Sequence, residues 1–189
     1  MTTFERRVAV ELRAGGDSKS PRLVGHAAVF NSPSQDLGGF TEIIRPGAFA
    51  RSLANASHDQ LALVQHMPQL VLGRRSAGTL RLQEDERGLA FDIDVPETSA
   101  ARDLLVSVQR GDVRGASFAF SVPKNGDRWE VRNGAVVREL LDVNLHEVTV
   151  TAQPAYVDTT VAMRSYETKF LQPARGHAVA ALRRFLETV

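Results

Sequence analysis

The chain has 189 residues, 43% of them hydrophobic, so one domain with a real core and a short appendage is the expected size class. With 23 basic and 22 acidic residues the formal net charge is +1, which gives no reason to expect nucleic acid as a partner. There is no cysteine, which excludes disulfides, thiolate nucleophiles and cysteine-based zinc sites, and no apolar run approaches the roughly 18–20 residues of a membrane span. The opening Met1-Thr-Thr-Phe-Glu-Arg-Arg7 lacks a signal-peptide core, and an intracellular protein is the expectation.

Taken in order, Val8, Val10 and Leu12 alternate with Ala9 and Glu11 as in a half-buried strand. Gly15-Gly-Asp-Ser-Lys-Ser-Pro21 breaks the pattern, and Leu23-Val-Gly-His-Ala-Ala-Val-Phe30 supplies a partner strand. The turn-rich Asn31-Ser-Pro-Ser-Gln-Asp-Leu-Gly-Gly39 reads as a surface loop. Pro46 suits a first helical turn, and Phe49 and Leu53 share a face, which predicts a short helix over 46–56. Leu61-Ala-Leu-Val-Gln-His66 is a compact apolar strand, expected to stop at Met67-Pro68. Residues 79–83 and 89–95 alternate about Glu84-Asp-Glu-Arg-Gly88 and predict a hairpin. The clearest helix runs from a cap at Thr98 or Ser99 to Gly111, with Ala101, Leu104, Leu105 and Val108 as its apolar stripe. A strand with Ser117 between Ala116 and Phe118 follows. Asn133-Gly134 between extended runs is a strong hairpin signal, and a long strand is expected over 140–151.

From Tyr166 the character changes: a linker around Gln172-Pro-Ala-Arg-Gly-His177 leads to Val179, Leu182, Phe185 and Leu186 at helical spacing. The expected division is a domain over 1–165 and a linker with an amphipathic tail helix over 166–189. Many closely spaced strands with few helices predict a mainly β fold with flanking helices (α+β), built as a closed or nearly closed antiparallel β-barrel.

Ser117 is the first candidate for chemistry. A serine hydroxyl attacks a carbonyl at neutral pH only with a base beside it. The sequence around it is not a Gly-x-Ser-x-Gly elbow, which disfavours an α/β-hydrolase. His66, at the end of an apolar strand, is the best base; His26 reads as structural, and His58 and His177 as solvated. The five histidines form no metal-binding spacing. The histidine's orienter is one of two neighbours, His146 or Glu147. Regular alternation would put Glu147 inward with Val143 and Leu145, where a buried carboxylate needs a partner. A salt bridge to an arginine is the competing explanation for Glu147. Arg74, Arg75 and Arg114 are candidates for oxyanion or substrate contacts, though backbone amides suit that task as well.

Five pieces in order resemble one family, the phage prohead (capsid maturation) proteases. They are Gly25-His-Ala-Ala-Val-Phe30, Glu42-Ile-Ile-Arg-Pro-Gly-Ala-Phe49, Leu63-Val-Gln-His-Met-Pro68 with Val71-Leu-Gly-Arg74, Gly115-Ala-Ser-Phe-Ala-Phe120, and Leu145-His-Glu-Val-Thr-Val-Thr-Ala-Gln-Pro-Ala-Tyr156. That family is similar in fold to the herpesvirus assemblin proteases. The resemblance implies a serine endopeptidase with Ser117 as nucleophile, His66 as general base and Glu147 as third member; a second histidine in that role among herpesvirus enzymes keeps His146 open. It implies no cofactor and no metal. It implies as partners the major capsid protein with its scaffolding segment, the enzyme itself as a substrate, and a possible homo-oligomer. It places the reaction inside the immature capsid in the bacterial host cytoplasm. A non-catalytic capsid-assembly factor on the same fold and a small acyl-hydrolase are the alternatives.

Overall fold

The computed structural model describes residues 4–9, 12–17 and 20–152. Among them it forms twelve strands and two helices. The strands are β1 (Glu5–Ala9), β2 (Leu12–Asp17), β3 (Ser20–Val29), β4 (Phe40–Ile44), β5 (Leu61–Val64), β6 (Met67–Arg74), β7 (Leu80–Glu84), β8 (Gly88–Asp94), β9 (Gly115–Ser121), β10 (Asp127–Arg132), β11 (Ala135–Leu140) and β12 (Asn144–Thr151). The helices are α1 (Ala50–Ala54) and α2 (Ser99–Arg110). The expected linker and amphipathic tail helix over 166–189 lie outside the described residues.

The strands make three sheets, ordered β1-β9-β12-β5-β6, β10-β11-β4 and β2-β3-β8-β7. A mainly β, α+β architecture is therefore present, but no sheet of the described residues closes into a barrel. Nor is the pairing all antiparallel: β12 runs parallel to β5 and β11 parallel to β4. The local hairpins β2–β3, β5–β6, β7–β8 and β10–β11 are the part that turn chemistry dictates. The pairings β1–β9, β9–β12 and β12–β5 join distant segments into the five-stranded sheet, which shares no strand with the other two.

Two expected elements differ in extent. The helix over 46–56 is a turn followed by the single-turn α1, because Gly47 takes φ +90° and no side chain caps the start at Phe49. Met67-Pro68 does not end a strand; it begins β6. Proline is tolerated there because β6 is the outer strand of its sheet, with no neighbour requiring the missing N–H. The α2 helix forms as expected: the Thr98 hydroxyl accepts the Ala101 N–H at 3.2 Å, and Gly111 closes it at φ +80°.

The core gathers the inner faces of the sheets and the stripe Ala101, Leu104 and Val108 of α2. At its centre Phe118 and Phe120 stack with ring centroids 5.1 Å apart, and Phe49 meets Phe118 edge-on at 5.4 Å. Burying Phe118 and Phe120 pins β9, and strand alternation then turns Ser117 and Ala119 to the opposite face.

Candidate active site

β9 and β12 are antiparallel neighbours in the centre of the five-stranded sheet, with Ser117 opposite Thr149 and Ala119 opposite Glu147. Ser117, Thr149 and Glu147 thus share the face away from Phe118 and Val148. β5 lies on the other side of β12, and its turn into β6 brings His66 over this face.

That turn is two residues long. Gln65 and His66 both adopt positive φ, +52° and +58°, as a two-residue hairpin whose ends pair at Val64 and Met67 requires. Neither is glycine or asparagine, so the conformation is strained by about 1 kcal/mol per residue. β12 holds it in place. The His66 N–H donates to Thr149 Oγ1 at 3.0 Å, while the Thr149 hydroxyl donates to the Leu63 carbonyl at 2.9 Å. The Gln65 N–H donates to the Val150 carbonyl at 3.0 Å, and the Thr151 hydroxyl donates to Gln65 Oε1 at 2.7 Å.

The imidazole of His66 lies between the other two side chains. Its Nε2 is 3.0 Å from Ser117 Oγ, and its Nδ1 is in hydrogen-bond contact with Glu147 Oε1. A carboxylate accepts only, so Nδ1 carries the proton and Nε2 is left as the acceptor for the serine O–H. The three groups are shielded: Ser117 is 0% exposed, and the side chains of His66 and Glu147 are 12% and 17% exposed. In such surroundings the ion pair that forms when His66 takes a proton is weakly screened by solvent.

Glu147, not His146, meets His66, but regular alternation is not the reason. A β-bulge falls between Leu145 and Glu147 and inserts His146 as an extra residue. Leu145 and Val148 therefore both face the core, while Glu147 faces the site. The bulged His146 turns to Ser121, whose Oγ is 2.9 Å from its Nε2, and its ring packs on Phe4 at 4.2 Å. Burial, followed by the charge of His58, holds the His146 imidazole below its ordinary pKa.

His26, on β3, pairs at 2.8 Å with Asp85 of the β7–β8 turn. His58 is not simply solvated; it is half-buried, with Nδ1 enclosed and unpartnered. His177 lies outside the described residues. Two of the three candidate arginines are engaged elsewhere: Arg74 with Asp59 at 2.5 Å, and Arg75 with the Leu53 carbonyl at 2.5 Å and Gln60 at 3.1 Å. Arg114 is exposed just before β9. Among the described residues no group of three or more potential ligands is placed to hold a metal ion. Thr149 is the residue that sequence reasoning passed over. Its signal was there in the alternation of Glu147, Thr149 and Thr151 with Val148 and Val150.

The sequence profile of the caudovirus prohead serine proteases matches residues 8–172. The chain belongs to that family. The prohead protease of Enterobacteria phage HK97 is 32% identical over 154 residues, which make up 80% of this chain and 64% of that protein. The chain thus spans somewhat less than two thirds of that relative's length. The structure of the bacteriophage T4 capsid assembly protease aligns with 79% of this chain and 99% of its own, at a TM-score of 0.48 and 8% identity, a likeness too distant to carry a structural argument. Within the matched span of the prohead protease family lie β9, β12 and the β5–β6 turn, and so all three residues of the hydrogen-bonded chain.

Proposed function

We propose that this chain is a serine endopeptidase of capsid maturation, with Ser117 as nucleophile, His66 as general base and Glu147 as the group that orients and stabilises the imidazolium. The observation carrying this reading is the single line Ser117 Oγ, His66 Nε2, His66 Nδ1, Glu147 Oε1. His66 removes the Ser117 proton as Oγ attacks the scissile carbonyl, then delivers it to the leaving amine. Water enters, gives its proton to His66, and releases the acyl group from Ser117. Glu147 keeps the Nδ1 proton throughout, so Nε2 is always the nitrogen that exchanges. Since Ser117 is fully buried, a substrate carbonyl reaches Oγ only after the residues covering it move aside.

The substrate in this reading is the major capsid protein, cut at its scaffolding segment, with the chain itself as a second substrate inside the immature shell. Family membership and the likeness to the HK97 prohead protease support it. Kinship with the herpesvirus assemblins belongs to the same proposal, supported by a strand-borne serine served by a distant histidine. So does the division at residue 165: removal of 166–189 is expected to abolish either incorporation into proheads or self-processing.

Co-expression with the capsid protein, followed by intact-mass spectrometry, tests the reading. Wild type is expected to release defined capsid fragments, and Ser117→Ala to lower the rate by about 10⁴-fold or more. Equal processing by both would remove Ser117 from the mechanism. The closed state of Ser117 favours one second reading, a non-catalytic assembly factor that binds coat protein. Intact capsid protein in both samples would favour that reading.

A further inference from the structure

The sheet β10-β11-β4 carries three guanidiniums around one carboxylate. Glu139, on β11, stands opposite Arg128 of β10. Its Oε2 accepts from Arg128 Nε at 3.0 Å, and its Oε1 from Arg132 Nη2 at 2.7 Å and Arg45 Nε at 3.1 Å. The Glu139 side chain is 0% exposed, because the arginines roof it; theirs are 32% (Arg45), 59% (Arg128) and 41% (Arg132) exposed. Glu130 adds a second carboxylate, against Arg132.

Three positive charges therefore meet two negative ones, and among the described residues no other carboxylate lies within ion-pair distance of these arginines. Arg45 turns its remaining contact to a neutral oxygen, Asn31 Oδ1, at 2.7 Å. Nη1 of Arg128, and Nε and Nη1 of Arg132, donate to no protein acceptor among the described residues. Glu139 and Glu130 leave one of the three positive charges uncompensated, and a further anion at this exposed face would offset it. The Glu139 anchor also fixes the guanidiniums in advance, so little rotamer freedom is left to lose on binding.

We propose that this face docks an acidic polypeptide segment supplied by another chain. Arg128 and Arg132 approach Glu139 from the same strand, β10, and Arg45 from just past the end of β4. β10 is an edge strand of its sheet, so an extended chain can run beside it with carboxylates meeting the donors that Glu139 leaves free. The chain's own undescribed C-terminal stretch is not the complement. Residues 153–189 carry Arg164, Lys169, Arg175, Arg183 and Arg184 against only Asp158, Glu167 and Glu187. The surface uses none of the residues of the Ser117 site and stands whether or not that site is catalytic.

The test uses the full chain, a fluorescein-labelled glutamate-rich peptide, and low salt of about 50 mM, where surface charges are least screened. The peptide is expected to bind and to shift the backbone amide resonances of Arg45, Arg128, Arg132 and Glu139. Arg128→Gln, chosen because that side chain is mostly exposed and its loss leaves Glu139 two partners, is expected to weaken binding about tenfold. Arg110→Gln, an exposed arginine on α2, is expected to change nothing, and a peptide with glutamine for glutamate is expected not to bind. Equal binding by the two variants, or shifts confined to other residues, would overturn the proposal. So would sulfate binding at these amides with no binding of the peptide, since that would make the cluster a small-anion site.

Discussion

At the scale of single residues, the decisive feature is a histidine held in a conformation it does not prefer. His66 and Gln65 occupy the left-handed region, and the return for that strain is an imidazole suspended over Ser117 from a turn instead of a strand. Thr149 supplies the restraint from opposite Ser117 itself, through its contacts with the His66 N–H and the Leu63 carbonyl. Thr149→Val keeps the shape and removes both bonds. It is expected to cost about 1–3 kcal/mol in urea unfolding and to lower kcat by roughly tenfold or more with KM little changed. An unchanged kcat would mean that the turn holds His66 without help. His146, the bulged neighbour, gives a pH signature of its own. Its pKa is lowered by burial, and then by His58, so the unfolded chain takes up a proton first as pH falls below about 6.5, and stability declines there. His146→Gln is expected to flatten that part of the thermal-melt profile. Motif order along the chain pointed to Ser117, His66 and Glu147 through family resemblance. Alternation places Glu147 only along an unbroken strand, and the bulge at His146 is invisible to it.

At the scale of elements, what the sequence made legible is what turn chemistry controls. Asn133-Gly134 forms the β10–β11 hairpin with φ +51° and +81°, and α2 starts and stops where its cap residues place it. The missed cases have local causes: α1 shrinks for want of a cap, and β6 accepts Pro68 by lying at an edge. The β10-β11-β4 sheet carries a testable charge effect. Burial alone would raise the Glu139 pKa from its ordinary 4.5, but hydrogen bonds from Arg45, Arg132 and Arg128 outweigh it and bring it down to about 2. A depressed carboxylate stabilises the fold above its unfolded pKa and loses that contribution as pH falls through the folded one. Stability is therefore expected to decline between about pH 4.5 and 2 in wild type, with the decline reduced in Glu139→Gln. Chemical unfolding at stepped pH measures it, and parallel profiles would contradict it.

At the scale of the molecule, the five-stranded sheet is joined to the β10-β11-β4 sheet by buried charge. Arg138 donates to Glu5 at 2.6 and 3.0 Å, to Glu42 at 3.0 Å and to Asp127 at 2.9 Å, while Arg7 donates to Glu42 at 2.6 and 2.8 Å. Burial lowers the Arg138 pKa, but Glu5, Glu42 and Asp127 more than offset it, so the guanidinium stays charged. Removing one member of such a network strands its partners without water. Arg138→Met is accordingly expected to cost about 3–5 kcal/mol in urea unfolding, far more than a surface arginine such as Arg110→Met. Because Arg7 pairs across the ladder with Phe118, next to Ser117, loosening this joint is also expected to lower catalytic rate. None of this was readable in advance: Arg138 lies 133 residues from Glu5 and 96 from Glu42, and periodicity carries no information on which strands become neighbours. The same blindness produced the expectation of a closed barrel.

The most direct measurement is the rate of covalent labelling by a fluorophosphonate, read by intact mass and peptide mapping. One adduct is expected, on Ser117, formed by wild type, absent in Ser117→Ala, and slowed by about a thousandfold in His66→Ala. An adduct on another residue, or a labelling rate indifferent to the loss of His66, would contradict it.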